Sequence, residues 1–87
     1  MEAIIRYFGS YLGKLIEKDA QSTRGLLRVT LKSSIDKKGT LSIEKLINVF
    51  ETALLERLER LEVKNSKEIV QKMVSELIEN QSFITMA

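Results

Sequence analysis

The sequence contains no cysteine, histidine, proline or tryptophan. Without cysteine the chain cannot form disulfides, thiolate metal sites or a thiol nucleophile. Without histidine it lacks the side chain that most often serves as general base and as metal ligand. These absences remove the common routes to hydrolytic and metal-dependent catalysis. We therefore expect a protein that is not an enzyme and uses no cofactor or metal.

Long apolar runs and clustered glycines are missing as well. No stretch approaches the roughly 18 apolar residues of a membrane-spanning helix. The first residues, MEAIIRYFGSYLGK, lack the basic and then apolar pattern of a signal peptide. The four glycines are scattered, so no phosphate-binding glycine loop is present. We expect a cytoplasmic protein that does not interact with membranes. Its high share of Lys, Glu, Ile and Leu is compatible with a thermophilic source.

Length and composition indicate one small domain, residues 1–87. The chain has 87 residues, of which 44% are hydrophobic and 30% charged. A chain of this length buries only about 60% of the surface that it exposes when unfolded, so its stability margin is narrow. Dimerisation is a common way to widen that margin.

Residues 41–63 carry the longest helical pattern, LSIEKLINVFETALLERLERLEV. Ser42 is a favourable N-cap, because its hydroxyl can accept a hydrogen bond from the first turn. Apolar residues then recur at steps of three and four, which predicts one amphipathic helix. They are Ile43, Ile47, Phe50, Leu54, Leu58 and Leu61.

Two further helices are predicted at the ends of the chain, over residues 2–20 and 66–80. Gly9 and Gly13 lie four residues apart in the first of them, which indicates close packing against another backbone. In the last helix, Asn65 and Glu68 have the spacing of a capping box. The short connector before it predicts an antiparallel neighbour of the long helix.

Residues 24–38 allow two interpretations. As a helix, Leu27 and Leu31 share one face, Ser22 or Thr23 caps the start, and Gly39 ends it. As a strand, alternate residues from Leu27 are apolar and a hairpin follows. We favour the helix and predict an all-α domain resembling a small four-helix bundle. The alternative is an α+β fold with residues 26–42 as a β-hairpin packed on three helices.

The apolar faces exceed what a monomer of this length easily covers. This surplus predicts a non-enzymatic helical protein–protein interaction module, whose partner is another copy of itself or a second protein. The candidate homodimer interface comprises Leu55, Leu58, Leu61, Phe83 and Ile84.

Basic residues concentrate in the first half of the chain and support an alternative function. A small nucleic-acid-binding protein or transcriptional regulator would use residues 24–38 to contact phosphate. The candidate contacts to nucleic acid or to an acidic partner are Arg24, Arg28, Lys32, Lys37 and Lys38.

A second stripe, on the first predicted helix, joins aromatic and basic side chains: Tyr7, Tyr11, Lys14 and Lys18. Single-stranded nucleic acid can use such a stripe, because bases stack on aromatic rings while cations hold phosphates. The simpler interpretation places the tyrosines at the edge of the core with their hydroxyls in water.

Overall fold

The computed structural model describes residues 2–34 and 42–82, and this part of the chain is helical. The elements are α1 (Glu2–Ile16), α2 (Ala20–Ser34), α3 (Ile43–Val49), a π-helical segment (Phe50–Leu54), α4 (Leu55–Arg60) and α5 (Ser66–Glu79). Helix α3, the π-helical segment and α4 follow one another without a break, and we call them together the long helix, residues 43–60. With α1, α2 and α5 the long helix makes four packed rods, as predicted.

The ambiguous segment is a helix as far as it is described. Residues 24–34 belong to α2, so the hairpin interpretation is wrong for residues 26–34. Residues 35–41, which include the predicted turn and Gly39, lie outside the described residues.

The start of α2 differs from the prediction. The helix predicted over residues 2–20 ends earlier, at Ile16, and Ala20 is already the first residue of α2. Asp19 caps α2: its carboxylate accepts hydrogen bonds from the Gln21 N–H at 2.9 Å and from the Ser22 hydroxyl at 2.8 Å. Neither Ser22 nor Thr23 is the N-cap, since both already lie within the first turn of α2.

Helices α1 and α2 pack with their backbones in close contact, as the glycine spacing predicted. A Cβ atom added at Gly9 would lie 2.7 Å from the Cα of Arg24. One added at Gly13 would lie 2.8 Å from the Thr23 Oγ1 and 3.0 Å from the Lys18 carbonyl oxygen. Thr23 is buried here, and its hydroxyl donates to the carbonyl of Ala20 at 3.2 Å.

The long helix begins as predicted, but its middle is wider than an α-helix. The Ser42 Oγ accepts a hydrogen bond from the Lys45 N–H at 3.2 Å. Further on, the Leu55 N–H donates to the Phe50 carbonyl, five residues back, as in a π-helix. The Thr52 hydroxyl donates to the Asn48 carbonyl at 2.7 Å and competes there with the ordinary helical bond.

The core lies where the four rods meet. Phe8 of α1 and Phe50 of the long helix meet edge to face, with ring centroids 5.9 Å apart. Helix α5 contacts α3, the π segment and α4, so it runs back along the long helix as predicted. The fully buried large side chains are Phe8, Phe50, Ile4, Ile5, Leu12, Leu27, Leu31, Leu46, Leu54, Leu58, Met73 and Leu77.

The predicted capping box at the start of α5 is wrong. Asn65 has a left-handed backbone, φ 58°, and its side chain makes no capping hydrogen bond. An N-cap residue normally needs an extended backbone to aim its side chain at the first turn. The hydroxyl of Ser66, the first residue of α5, instead donates to the Val63 carbonyl at 2.7 Å and so joins the start of α5 to the connector before it.

Candidate interaction surfaces

The predicted dimer residues divide between the core and the surface. Leu58 is fully buried inside the single chain, and Leu55 is half-buried against the core. Leu61 has 61% of its surface exposed, because α4 ends at Arg60 and Leu61, with a ψ of 3°, lies where the chain leaves the helix. Phe83 and Ile84 lie outside the described residues.

Leu61 borders a groove at the end of the molecule where the connector between α1 and α2 meets the connector before α5. We call it the loop-end groove. Its volume is about 410 Å³. Charged side chains of both signs, Glu17, Lys18, Glu62 and Lys64, lie around it. Its apolar lining comprises Leu15, Ile16, Leu61, Val63 and Ile69.

The backbone around this groove has an unusual conformation. Glu17, Glu62 and Asn65 have positive φ angles of 56°, 59° and 58°. Left-handed backbone is unfavourable for side chains other than glycine, and in the described residues no glycine adopts it.

Glu17 and Glu62 each occupy the position just past the end of a helix where glycine is usual. The Lys18 N–H donates to the Gly13 carbonyl at 2.9 Å, and the Val63 N–H donates to the Leu58 carbonyl at 3.0 Å. Both bonds span five residues, which is the mark of a Schellman motif. Sequence reasoning missed these ends because no glycine marks them.

The basic residues predicted on α2 do not form one free surface. Arg24 donates from Nε and Nη2 to the Ser10 Oγ at 3.0 and 2.8 Å. Arg28 forms an ion pair with Glu2 at 3.1 Å, and hydrogen bonding by Arg28 together with its charge lowers the pKa of the Glu2 carboxyl. Lys32 is exposed. Lys37 and Lys38 lie outside the described residues.

A second groove, which we call the basic groove, lies between α1 and α2. Its volume is about 300 Å³. The structure brings Arg24 of α2 to the tyrosines and Lys14 of α1, whereas Lys18 lies at the loop-end groove. Arg6 and Ser10 could not be predicted as groove residues from the sequence, because their place in the lining depends on where α2 packs against α1. The lining residues are Arg6, Tyr7, Ser10, Tyr11, Lys14 and Arg24.

An acidic groove lies on the α5 side of Tyr11, with a volume of about 500 Å³. Its lining includes Glu68, Glu76 and Glu79, with Lys72 as the basic residue among them. The Tyr7 hydroxyl donates to the Glu76 Oε1 at 2.5 Å, and this hydrogen bond raises the pKa of Tyr7. The two tyrosines therefore lie between positively and negatively charged surfaces.

Residues 2–34 and 42–82 contain no group of three carboxylates placed to hold a metal ion. In the same ranges, no helix is both long and apolar enough to cross a membrane. Comparison of the chain with protein-family models, with curated proteins and with solved structures finds no match.

Proposed function

We propose that this chain is a small, non-enzymatic helical interaction module that forms a homodimer through the loop-end groove. The observation that carries the proposal is Leu61, a large apolar side chain with 61% of its surface exposed, which lines a groove together with four other apolar residues. An apolar patch rimmed by polar residues is a typical feature of protein–protein interfaces.

A two-fold axis through the loop-end groove would place Leu61 of each copy against the groove of the other. In such an interface the same patch serves both copies, so it must complement itself. The groove meets this requirement, because its lining combines apolar side chains with both acids and bases. Glu17 or Glu62 of one copy can then face Lys18 or Lys64 of the other.

The energy of Leu61 alone is too small to hold a dimer. Full burial of one leucine contributes about 1.5–3 kcal/mol, and a symmetric interface buries two. Micromolar affinity corresponds to about 8 kcal/mol, so the groove lining must contribute as well. Removing Leu61 should therefore weaken the dimer strongly, since the groove would lose the side chain that fills it.

The test is sedimentation equilibrium of the wild type and three variants at micromolar to submillimolar concentration. We expect a dimer for the wild type and a monomer for Leu61→Lys. Val29→Lys and Ile78→Lys are matched controls, because those side chains are 53% and 47% exposed elsewhere on the surface. They should dimerise like the wild type. A monomeric wild type, or a Leu61→Lys variant that dimerises normally, would contradict the proposal.

The alternative function predicted from residues 24–38 has weaker support from that segment. Arg24 lines the basic groove, Arg28 is paired with Glu2, and Lys32 is exposed. Two of these three side chains are therefore held by residues of α1, Arg24 by Ser10 and Arg28 by Glu2. Nucleic-acid contact by the segment as a whole remains a prediction.

A further inference from the structure

We propose that the basic groove between α1 and α2 binds single-stranded nucleic acid, with Arg6, Lys14 and Arg24 holding phosphates and the tyrosines stacking on bases. This site is separate from the loop-end groove, and it differs from the stripe on α2 that the sequence suggested. The proposal rests on the charge of the lining, the fixed position of Arg24 and the two aromatic rings.

The charged side chains that line the basic groove are all cations. Arg6 and Lys14 are exposed and form no ion pair with any residue in the described part of the chain. They lie eight residues apart on α1, a distance of about 12 Å along the helix axis. A row of cations of this length suits a phosphate backbone that follows the groove.

Arg24 is held in place before any ligand arrives. Its guanidinium donates twice to the Ser10 Oγ, and the Ser10 hydroxyl donates in turn to the Arg6 carbonyl at 2.7 Å. Gly9 makes room for the arginine stem, since a Cβ there would lie 2.7 Å from the Arg24 Cγ. Two of the five guanidinium N–H groups are used, so three remain for a phosphate. Binding of a phosphate would therefore cost little conformational entropy at Arg24, because this side chain is already ordered.

The tyrosines favour nucleic acid over an acidic peptide as the ligand. Tyr7 is 39% exposed and Tyr11 is half-buried, and both line the groove beside the cations. An acidic peptide needs the positive charges but not the rings, whereas bases stack on aromatic side chains. A duplex hides the faces of its bases inside the stack, so a single strand fits this combination better.

The acidic groove limits where the strand can run. Glu76 and Glu79 lie on the far side of Tyr11 and would repel phosphates there. The anchoring hydrogen bond from Tyr7 to Glu76 keeps the Tyr7 ring at this boundary. The backbone of a bound strand should therefore follow the α1–α2 side, and its bases should point towards the tyrosines.

Intrinsic tyrosine fluorescence gives a direct test. The protein has two tyrosines and no tryptophan, and both tyrosines line the groove, so its emission reports on this site. We expect single-stranded oligo(dT) and oligo(U) to quench the emission at low salt. Anisotropy with labelled strands should show the logarithm of affinity falling with the logarithm of salt at a slope of about −2, or about −0.7 for each of three phosphates.

The variant Arg6→Gln/Lys14→Gln should bind about ten-fold more weakly or worse at low salt, with a slope near −0.7. Lys45→Gln/Lys67→Gln is the matched control: it removes the same charge from exposed positions on α3 and α5, and it should bind nearly as the wild type does. Equal losses in both variants would overturn the proposal, since net charge would then explain binding.

Duplex DNA and polyglutamate complete the experiment. We expect both to bind more weakly than a single strand of equal length and to leave tyrosine emission unchanged. No binding of any strand at low salt would overturn the proposal. Polyglutamate binding as tightly as a single strand would also overturn it, because the groove would then be a general anion site.

Discussion

At the scale of single residues, the strongest departures from local preference are Glu17 and Glu62. Both have a left-handed backbone just past a helix end, where the helix dipole also disfavours negative charge. Helix ends of this kind usually have glycine at this position, because glycine has no Cβ to clash with the preceding turn. Both glutamates line the loop-end groove, so their left-handed backbone lowers the stability of this end of the molecule.

Replacing these glutamates by glycine should therefore stabilise the protein. We expect Glu17→Gly and Glu62→Gly each to raise the free energy of unfolding by about 1 kcal/mol, because the left-handed strain is removed. Urea unfolding at one fixed protein concentration measures the change, since the proposed dimerisation would make stability depend on concentration. The matched control is Glu59→Gly, within α4, which should destabilise by about 1 kcal/mol. Destabilisation by all three variants would contradict this account of the helix ends.

At the scale of elements, the π segment explains why one row of apolar residues stays buried. Phe50, Leu54 and Leu58 follow one another at steps of four, and all are fully buried. In a regular α-helix such a row rotates by about 40° per step. The wider turn between Phe50 and Leu54 reduces this rotation, so Leu58 still faces the core. Leu61 does not continue the row, because α4 ends at Arg60 and Leu61 no longer has helical backbone angles.

The contact between α1 and α2 leads to a prediction with an internal control. Gly9→Ala should destabilise the protein by about 1–3 kcal/mol, because the new methyl would meet the Arg24 backbone and force the helices apart. Gly25→Ala, in α2, should instead stabilise by about 1 kcal/mol, since nothing lies within 4 Å of the added Cβ.

Thermal and urea unfolding of the two alanine variants, side by side, measure the difference. Both changes add the same methyl group within a helix, so only the surroundings differ. Equal effects of the two substitutions would show that the close approach of α1 and α2 does not constrain the packing.

At the scale of the whole molecule, the two proposed surfaces use different residues. The loop-end groove depends on Leu61 and the connectors, whereas the basic groove depends on α1 and α2. No residue lines both grooves. Substitutions in one should leave the function of the other intact, since sites without shared partners usually behave independently.

This independence predicts the outcome of a crossed experiment. Leu61→Lys should lose the dimer but keep the quenching of tyrosine emission by oligo(dT). Arg6→Gln/Lys14→Gln should lose strand affinity but sediment as a dimer. Sedimentation equilibrium and fluorescence titration of both variants give the four results. Loss of both properties in either variant would mean that the surfaces are coupled, or that the substitution disturbs the fold.

Features that depend on neighbouring residues could be predicted from the amino-acid sequence. The helical fold, the N-cap at Ser42 and the close approach at Gly9 and Gly13 all follow from spacing along one chain segment. Periodicity shows which face of a helix is apolar, and a missing Cβ shows where a backbone can approach. These are local properties, so they can be predicted before the packing is known.

The packing of the helices determines which of the predicted residues reach the surface and which of them meet. Leu58 and Leu61 belong to one apolar pattern, yet the first is in the core and the second beside a groove. Arg24 joins Ser10 and Tyr11 because α2 folds back on α1. Such placements depend on contacts between segments distant in sequence, and on the balance between burial and backbone strain. Helical periodicity carries no information about either.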